Sequence, residues 1–136
     1  MTRWTFLVAA APLLAAAANA PRSAALGQAA PGLWEIAGVP GAKAPARECV
    51  GDVAAFARFE HRARNCAQKV ITDGPSSTVI EYSCGSGEFG RSQLTVITPR
   101  SLRIETQGIS DNLPFHYVLQ ARRVGDCPGR ASAARH

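Results

Sequence analysis

Four cysteines constrain the fold of this short chain more than any other feature of its sequence. Their separations of 17, 18 and 43 positions include no C-x-x-C pair. The spacing therefore favours neither a thioredoxin-type redox site nor a zinc site, whose ligands come as close pairs on turns. In a small exported domain, an even number of cysteines predicts two disulfides. The four residues are Cys49, Cys66, Cys84 and Cys127.

The pairing of the four cysteines is open at this point, because four cysteines allow three connectivities. Cys49 and Cys66 flank the one good helical segment, and a bridge between them would tie that helix to the next strand. Cys84 ends one predicted strand and Cys127 follows the last one. We therefore favour Cys49–Cys66 with Cys84–Cys127. On the loop-entropy model, each bridge contributes roughly 3–4 kcal/mol to stability.

The N-terminal sequence predicts export to an oxidising compartment, where disulfides form. Residues 1–20 have the three parts of a secretory signal peptide: Arg3 supplies the positive charge, residues 4–17 are apolar, and small residues follow. Cleavage is expected after Ala18 or after Ala20. The apolar run is shorter than the about 20 residues of a membrane-spanning helix, so an uncleaved anchor is the weaker alternative. We expect a periplasmic or secreted protein that is soluble, with no transmembrane segment after cleavage.

The remaining length fits a single domain. We assign residues 21–30 to a flexible lead-in, 31–128 to one four-cysteine β-rich domain and 129–136 to a disordered tail. Residues 51–64 predict one amphipathic helix of about three turns, because apolar side chains nearly follow an i, i+3, i+4 pattern after a possible N-cap at Asp52.

Alternation with period two dominates the rest of the domain and predicts strands. Trp34 and Ile36 should share one face of the first strand, and residues 38–46 should form a loop. Short turns between successive strands predict an α+β, mainly β fold: an antiparallel curved sheet or meander of about six strands, with the helix packed on it and disulfides as staples. The predicted strands cover residues 33–36, 69–72, 78–84, 92–98, 102–107 and 115–122.

The sequence carries no recognisable catalytic constellation. It has no G-x-S-x-G elbow, no H-E-x-x-H and no P-loop. His116 should lie on the outward face of a strand and His61 on the polar side of the helix, both in solvent. We therefore expect no catalytic residues, cofactor or metal site. The alternatives are an enzyme with a scattered site that uses His61 or His116 as its base, and a purely structural or interaction protein.

The charge and the apolar faces suggest partners only weakly. The formal net charge is +5. A basic cluster at the end of the helix could contact an anionic envelope surface, although a solvated helix end is the commoner interpretation. Nucleic acid is not expected for an exported chain without a binding motif. The apolar inner face of the sheet could enclose a small apolar ligand, with a filled core as the default. The basic cluster comprises Arg58, His61, Arg62, Arg64 and Lys69.

The order of these motifs resembles the domain-of-unknown-function 3617 family. The resemblance rests on the start motif at residues 31–35 (PGLWE), the order of the cysteines and the end motif at residues 123–128 (RVGDCP), so it spans roughly residues 31–128. In the family, a Leu-Thr-Pro-Glu-like helix start commonly follows the first cysteine, whereas Val50-Gly51-Asp52 follows it here. The resemblance implies a small exported proteobacterial protein and no catalytic residues. We expect a non-catalytic domain that binds a small ligand or serves as an accessory envelope protein.

Overall fold

The computed structural model describes residues 23–129. Seven antiparallel strands form one open sheet in the order β2-β1-β7-β6-β5-β4-β3. A 3₁₀ turn at Leu26–Gln28 precedes the sheet, and a 3₁₀ helix at Val53–His61, here called the covering helix, lies between β2 and β3. The strands are β1 (Gly32–Ala37), β2 (Ala46–Val50), β3 (Ala67–Asp73), β4 (Ser77–Gly85), β5 (Glu88–Thr98), β6 (Ser101–Ser110) and β7 (Leu113–Gly125).

The mainly β, antiparallel prediction is confirmed, and each of the six predicted strands lies inside an observed one. The prediction of about six strands misses β2, whose N-terminal residue Ala46 was assigned to a loop. This strand lies at an edge of the sheet, and its adjacent charged residues Arg47 and Glu48 place a charge on each of its faces. Its pairing with β1 and the ion pair between Arg47 and Glu35 at 3.2 Å stabilise it. Because these contacts do not require an apolar face, the sequence of β2 lacks the hydrophobic periodicity that would predict a strand.

The inner face of the sheet, on which the covering helix packs, carries the core. The register places Ile80, Ser92 and Thr106 in one row across neighbouring strands, with Leu94, Ile104 and Leu119 in the next. Trp34 and Ile36 share this face, as predicted, and both are fully buried. The ring of Phe56 from the covering helix meets Trp34 edge-on at 5.5 Å between centroids.

The covering helix differs from the predicted helix in length and in type. It begins after Asp52, whose side chain accepts a hydrogen bond from the Ala54 N–H at 2.9 Å, so the predicted N-cap is confirmed. It ends at His61 and has 3₁₀ geometry with a break at Arg58 (φ −111°, ψ 33°). Val53, Phe56 and Phe59 are buried at a spacing of three residues, which matches three residues per turn.

The disulfides join Cys49 to Cys127 and Cys66 to Cys84, so the favoured pairing is wrong. Cys49 lies on β2 and Cys66 immediately precedes β3, and these two strands are the opposite edges of the sheet. A bridge between them would have to cross the whole sheet. Pairing of β3 with β4 instead brings Cys66 opposite Cys84, with their Cα atoms 4.2 Å apart.

Residues 23–30 pack on the domain, so the prediction of a flexible lead-in is wrong for this part of the chain. Asp73 at the end of β3 accepts hydrogen bonds from Ser23 Oγ at 2.8 Å and from the Ala24 N–H at 2.7 Å. Leu26 and Ala29 are buried in the core. The predicted signal peptide, residues 21–22 and residues 130–136 of the predicted tail lie outside the described residues. Between residues 23 and 129, no helix is long and apolar enough to cross a membrane.

Candidate functional site

A groove of about 880 Å³ lies on the outer face of the sheet, opposite the covering helix. We call it the outer groove. It crosses β3 to β7 near the turns that join β4 to β5 and β6 to β7. The inner face is packed with buried side chains, in agreement with the expectation of a filled core. The candidate site is therefore on the other side of the sheet from the core.

The first component of the outer groove is an apolar row that follows the strand register. It runs directly across the five strands from β3 to β7, one residue from each. Phe89 is 50% exposed although it is a large apolar side chain. The row consists of four apolar residues and one small hydroxyl residue, in the order Ala67, Ser83, Phe89, Ile109 and Pro114.

The second component is a polar row two residues further along each strand, on the same face. Arg91 Nη1 lies 3.3 Å from Glu81 Oε1, and His116 Nε2 lies 3.2 Å from Oε1 of Glu105 beside the groove. Hydrogen bonds from His116 and Arg103 lower the pKa of Glu105, so this carboxylate stays ionised. The polar row that lines the groove is Glu81, Arg91, Gln107 and His116.

Glycines form the floor between the two rows. Gly90 and Gly108 lie opposite one another on β5 and β6. A Cβ at Gly90 would lie 2.4 Å from the Tyr82 ring, and one at Gly108 would lie 2.1 Å from the Phe89 carbonyl oxygen. Larger residues would therefore force the strands or the Tyr82 ring to move. The close approach of the strands depends on glycine at both positions.

His61 lies beneath the groove, on the inner face, and is 4% exposed. The prediction that it is solvated is wrong, because the ring packs against the side chains of Tyr82 and Phe115 on the sheet. His61 Nδ1 lies 2.9 Å from the Tyr82 hydroxyl. Its Nε2 lies 2.9 Å from Glu88 Oε2, but the geometry of this contact is not that of a hydrogen bond. Nε2 therefore has no hydrogen-bond partner among residues 23–129.

Glu88 joins three parts of the fold below the groove. Its Oε2 accepts a hydrogen bond from Arg64 Nη1 at 2.6 Å, and its Oε1 accepts one from the Asp111 N–H at 3.0 Å. The Asp111 N–H and the Arg64 guanidinium lower the pKa of Glu88, with a smaller contribution from His61. Burial raises the pKa of the neighbouring Tyr82 hydroxyl. The cluster therefore pairs an ionised carboxylate with a protonated phenol.

The two histidines of the enzyme hypothesis have different surroundings. Both lie within hydrogen-bonding distance of a carboxylate or a tyrosine. His61 does not line the groove, and a buried base without access to a substrate can exchange protons only with its own neighbours. His116 lines the groove and is exposed, as predicted, so the His116–Glu105 pair is the acid–base unit within reach of a ligand.

Most of the predicted basic cluster is engaged in intramolecular contacts. Arg58 donates to the carbonyl oxygens of Arg62 and Arg64 at the end of the covering helix. Arg62 lies 3.2 Å from Glu48 and covers the Phe59 ring at 4.3 Å. These side chains fix the end of the helix and do not line the outer groove.

Sequence reasoning missed the apolar row, because β5 was predicted to begin at Ser92 rather than at Glu88. The signal was present: Phe89, Arg91 and Gln93 alternate with Gly90 and Ser92. Because glycine is common in turns, Gly90 led to the prediction that this segment is a connection between two strands.

Within residues 23–129, no group of three or more His, Cys, Asp or Glu side chains is arranged to hold a metal ion.

Comparisons with known proteins give one match. No curated protein and no solved structure shows significant similarity to the chain. The family model described as "Protein of unknown function (DUF3617)" matches residues 29–127, from the buried N-terminal segment to the last cysteine. The chain therefore belongs to the DUF3617 family, whose function is unknown.

Proposed function

We propose that the protein is an exported, non-catalytic domain that binds one small amphipathic ligand in the outer groove. The observation that carries this proposal is the pair of parallel rows, one apolar and one polar, that line the same groove. A ligand with an apolar and a polar part would match both rows at once.

The size and the exposure of the groove support this proposal. Pockets for small molecules usually measure about 300–1,000 Å³, and the outer groove has about 880 Å³. Apolar surface that a ligand covers contributes roughly 25 cal/mol per Å² to binding, and Phe89 leaves half of its surface in water. Most of the basic cluster is engaged elsewhere, which makes the groove a better candidate than a general anionic surface.

Preorganisation of the groove also supports binding. Glu88 ties the start of β5 to the β6–β7 turn, and the glycine floor holds β5 close to β6. A rigid site loses less conformational entropy when a ligand binds, so more of the contact energy appears as affinity.

Two features support export. Residues 1–20 have the composition of a secretory signal. Two disulfides are typical of oxidising compartments.

Native mass spectrometry of the protein purified from the periplasm of its own host tests the proposal directly. We expect a mass that lacks residues 1–18 or 1–20, minus four hydrogens for two disulfides, together with a bound small molecule. Recovery of the protein only from the cytoplasmic fraction, with residues 1–20 retained, would contradict export.

A blocking substitution tests whether the ligand occupies the groove. Ser83 is exposed in the apolar row, directly beside Phe89, and Ser83→Trp would fill the groove with an indole ring. Gln120→Trp is the matched control, because Gln120 is exposed on the same face of β7 but four residues beyond His116. We expect Ser83→Trp to abolish ligand retention and Gln120→Trp to preserve it. Equal retention by the two variants would contradict binding in the groove.

A further inference from the structure

We infer that the ligand of the outer groove is a single-chain amphiphile with an anionic head, whose chain lies on the apolar row and whose head lies between Arg91 and His116. This inference rests on the proposed function, because it names the ligand class for the same groove.

The apolar row is long and narrow. It takes one residue from each of five neighbouring strands, so it spans four interstrand spacings, or about 19 Å at roughly 4.8 Å each. Its width along the strands is a single residue, because the next residues on the same face are polar. A linear alkyl chain fits such a strip better than a fused ring system, which would extend over the polar row.

The polar row offers three N–H donors side by side. Gln107 lies directly opposite Arg91 on one side and His116 on the other. The side chains of Arg91 and His116 are 51% and 60% exposed, so both can turn toward a ligand. The row lies two residues, or about 7 Å, from the apolar row. A carboxylate or phosphate at the end of an alkyl chain could therefore reach it.

If Arg91 and His116 bound a ligand, their present carboxylate partners, Glu81 and Glu105, would each still have a basic side chain nearby. Lys69 lies directly opposite Glu81 on β3. Arg103 Nη1 lies 3.1 Å from Glu105 Oε2, on the side away from His116. Lys69, Arg91 and Arg103 together exceed Glu81 and Glu105 by one positive charge before His116 is counted. Exposed ion pairs are weak and readily exchange partners, so an anionic head would compete successfully for Arg91.

Calorimetric titration with three amphiphiles of equal chain length tests the head group. Dodecyl phosphate, dodecyl maltoside and dodecyltrimethylammonium have the same tail and an anionic, neutral or cationic head. Below their micelle-forming concentrations, we expect dodecyl phosphate to bind at least tenfold more tightly than either of the others. Ser83→Trp should abolish the binding of dodecyl phosphate.

A charge substitution tests the assignment of Arg91. We expect Arg91→Gln to reduce the ratio of the dodecyl phosphate affinity to the dodecyl maltoside affinity by at least fivefold. The matched control is Arg100→Gln, which removes the same charge at the β5–β6 turn, far from the groove. The ratio reports the head group alone, because a general loss of folding would reduce both affinities.

The outcomes separate the two proposals. Equal affinity for the three head groups, or an unchanged ratio in Arg91→Gln, would overturn the anionic head. The groove would still be the binding site in that case, provided that Ser83→Trp abolished binding. If none of the three amphiphiles bound the wild-type protein, the proposed function and the inference would both fail.

Discussion

Glu88 Oε2 lies 2.9 Å from His61 Nε2 beneath the outer groove, in a part of the domain where the His61 side chain is only 2% exposed. The same carboxylate accepts hydrogen bonds from Arg64 and from the backbone of the β6–β7 turn. One side chain thus connects the end of the covering helix to two hairpins that border the groove.

Removal of the charge of Glu88 should destabilise the protein. Glu88→Gln keeps an acceptor for the Asp111 N–H but leaves Arg64 and buried His61 without their ionised partner. We expect a lower midpoint of urea denaturation. Glu81→Gln is the control, because Glu81 forms an exposed pair with Arg91. A midpoint equal to that of the control would show that the buried contact contributes nothing to stability.

The contact between Asp73 and residues 23–24 predicts a loss of stability in acid. Hydrogen bonds from the Ala24 N–H and the Ser23 hydroxyl lower the pKa of Asp73 in the folded protein. The pKa of an aspartate in the unfolded chain is about 3.9. The stabilising contribution of Asp73 is therefore complete above about pH 4. It is lost as the pH falls through the folded-state pKa, because the unfolded chain binds the proton first.

Asp73→Asn should remove this part of the pH dependence. Melting temperatures measured between pH 7 and pH 2 should fall less steeply in the variant than in the wild type. Asp111→Asn is the control for the loss of one carboxylate at an exposed turn. Parallel curves for the wild type and Asp73→Asn would contradict the prediction and, with it, the docking of the N-terminal segment in solution.

The two disulfides should differ in their contributions to stability. Cys49 and Cys127 are separated by 78 residues, and Cys66 and Cys84 by 18. On the loop-entropy model, replacing both cysteines of a pair by alanine costs about 4.5 kcal/mol for the long loop and about 3 kcal/mol for the short one. Urea denaturation of the two double variants measures the difference. The reverse order would argue against unfolded-state entropy as the main cause.

Gly108→Ala should be far more disruptive than an alanine at an unconstrained glycine. The new Cβ would lie 2.1 Å from the Phe89 carbonyl oxygen, so β5 and β6 would have to separate. We expect a loss of about 1–3 kcal/mol in the free energy of unfolding. Gly27→Ala, with nothing within 4 Å of the new Cβ, should change it by less than about 0.5 kcal/mol. Equal effects of the two substitutions would contradict the tight glycine floor.

The candidate site could be predicted only in part from the sequence. Outward exposure of His116 follows from strand alternation, and the structure agrees. Burial of His61 does not follow from a helical wheel, because it depends on contacts with Tyr82 and Phe115, which belong to strands distant in the sequence. The neighbours of the groove strands agree with the predicted meander, but the groove was missed because the predicted β5 begins at Ser92 and leaves out Phe89 and Arg91.

Local patterns in the sequence determined the antiparallel strands, the N-cap at Asp52, the inward faces that hold Trp34 and Ile36, and the membership of the DUF3617 family. Each of these depends on residues close together in the chain or on motif order. Only the tertiary structure decided that Cys49 pairs with Cys127, that residues 23–30 belong to the domain, and that an apolar row lies exposed on the outer face. The physical reason is the same in each case. Strand order and register bring distant residues together, and the energy of those contacts outweighs the weak preferences of each local segment.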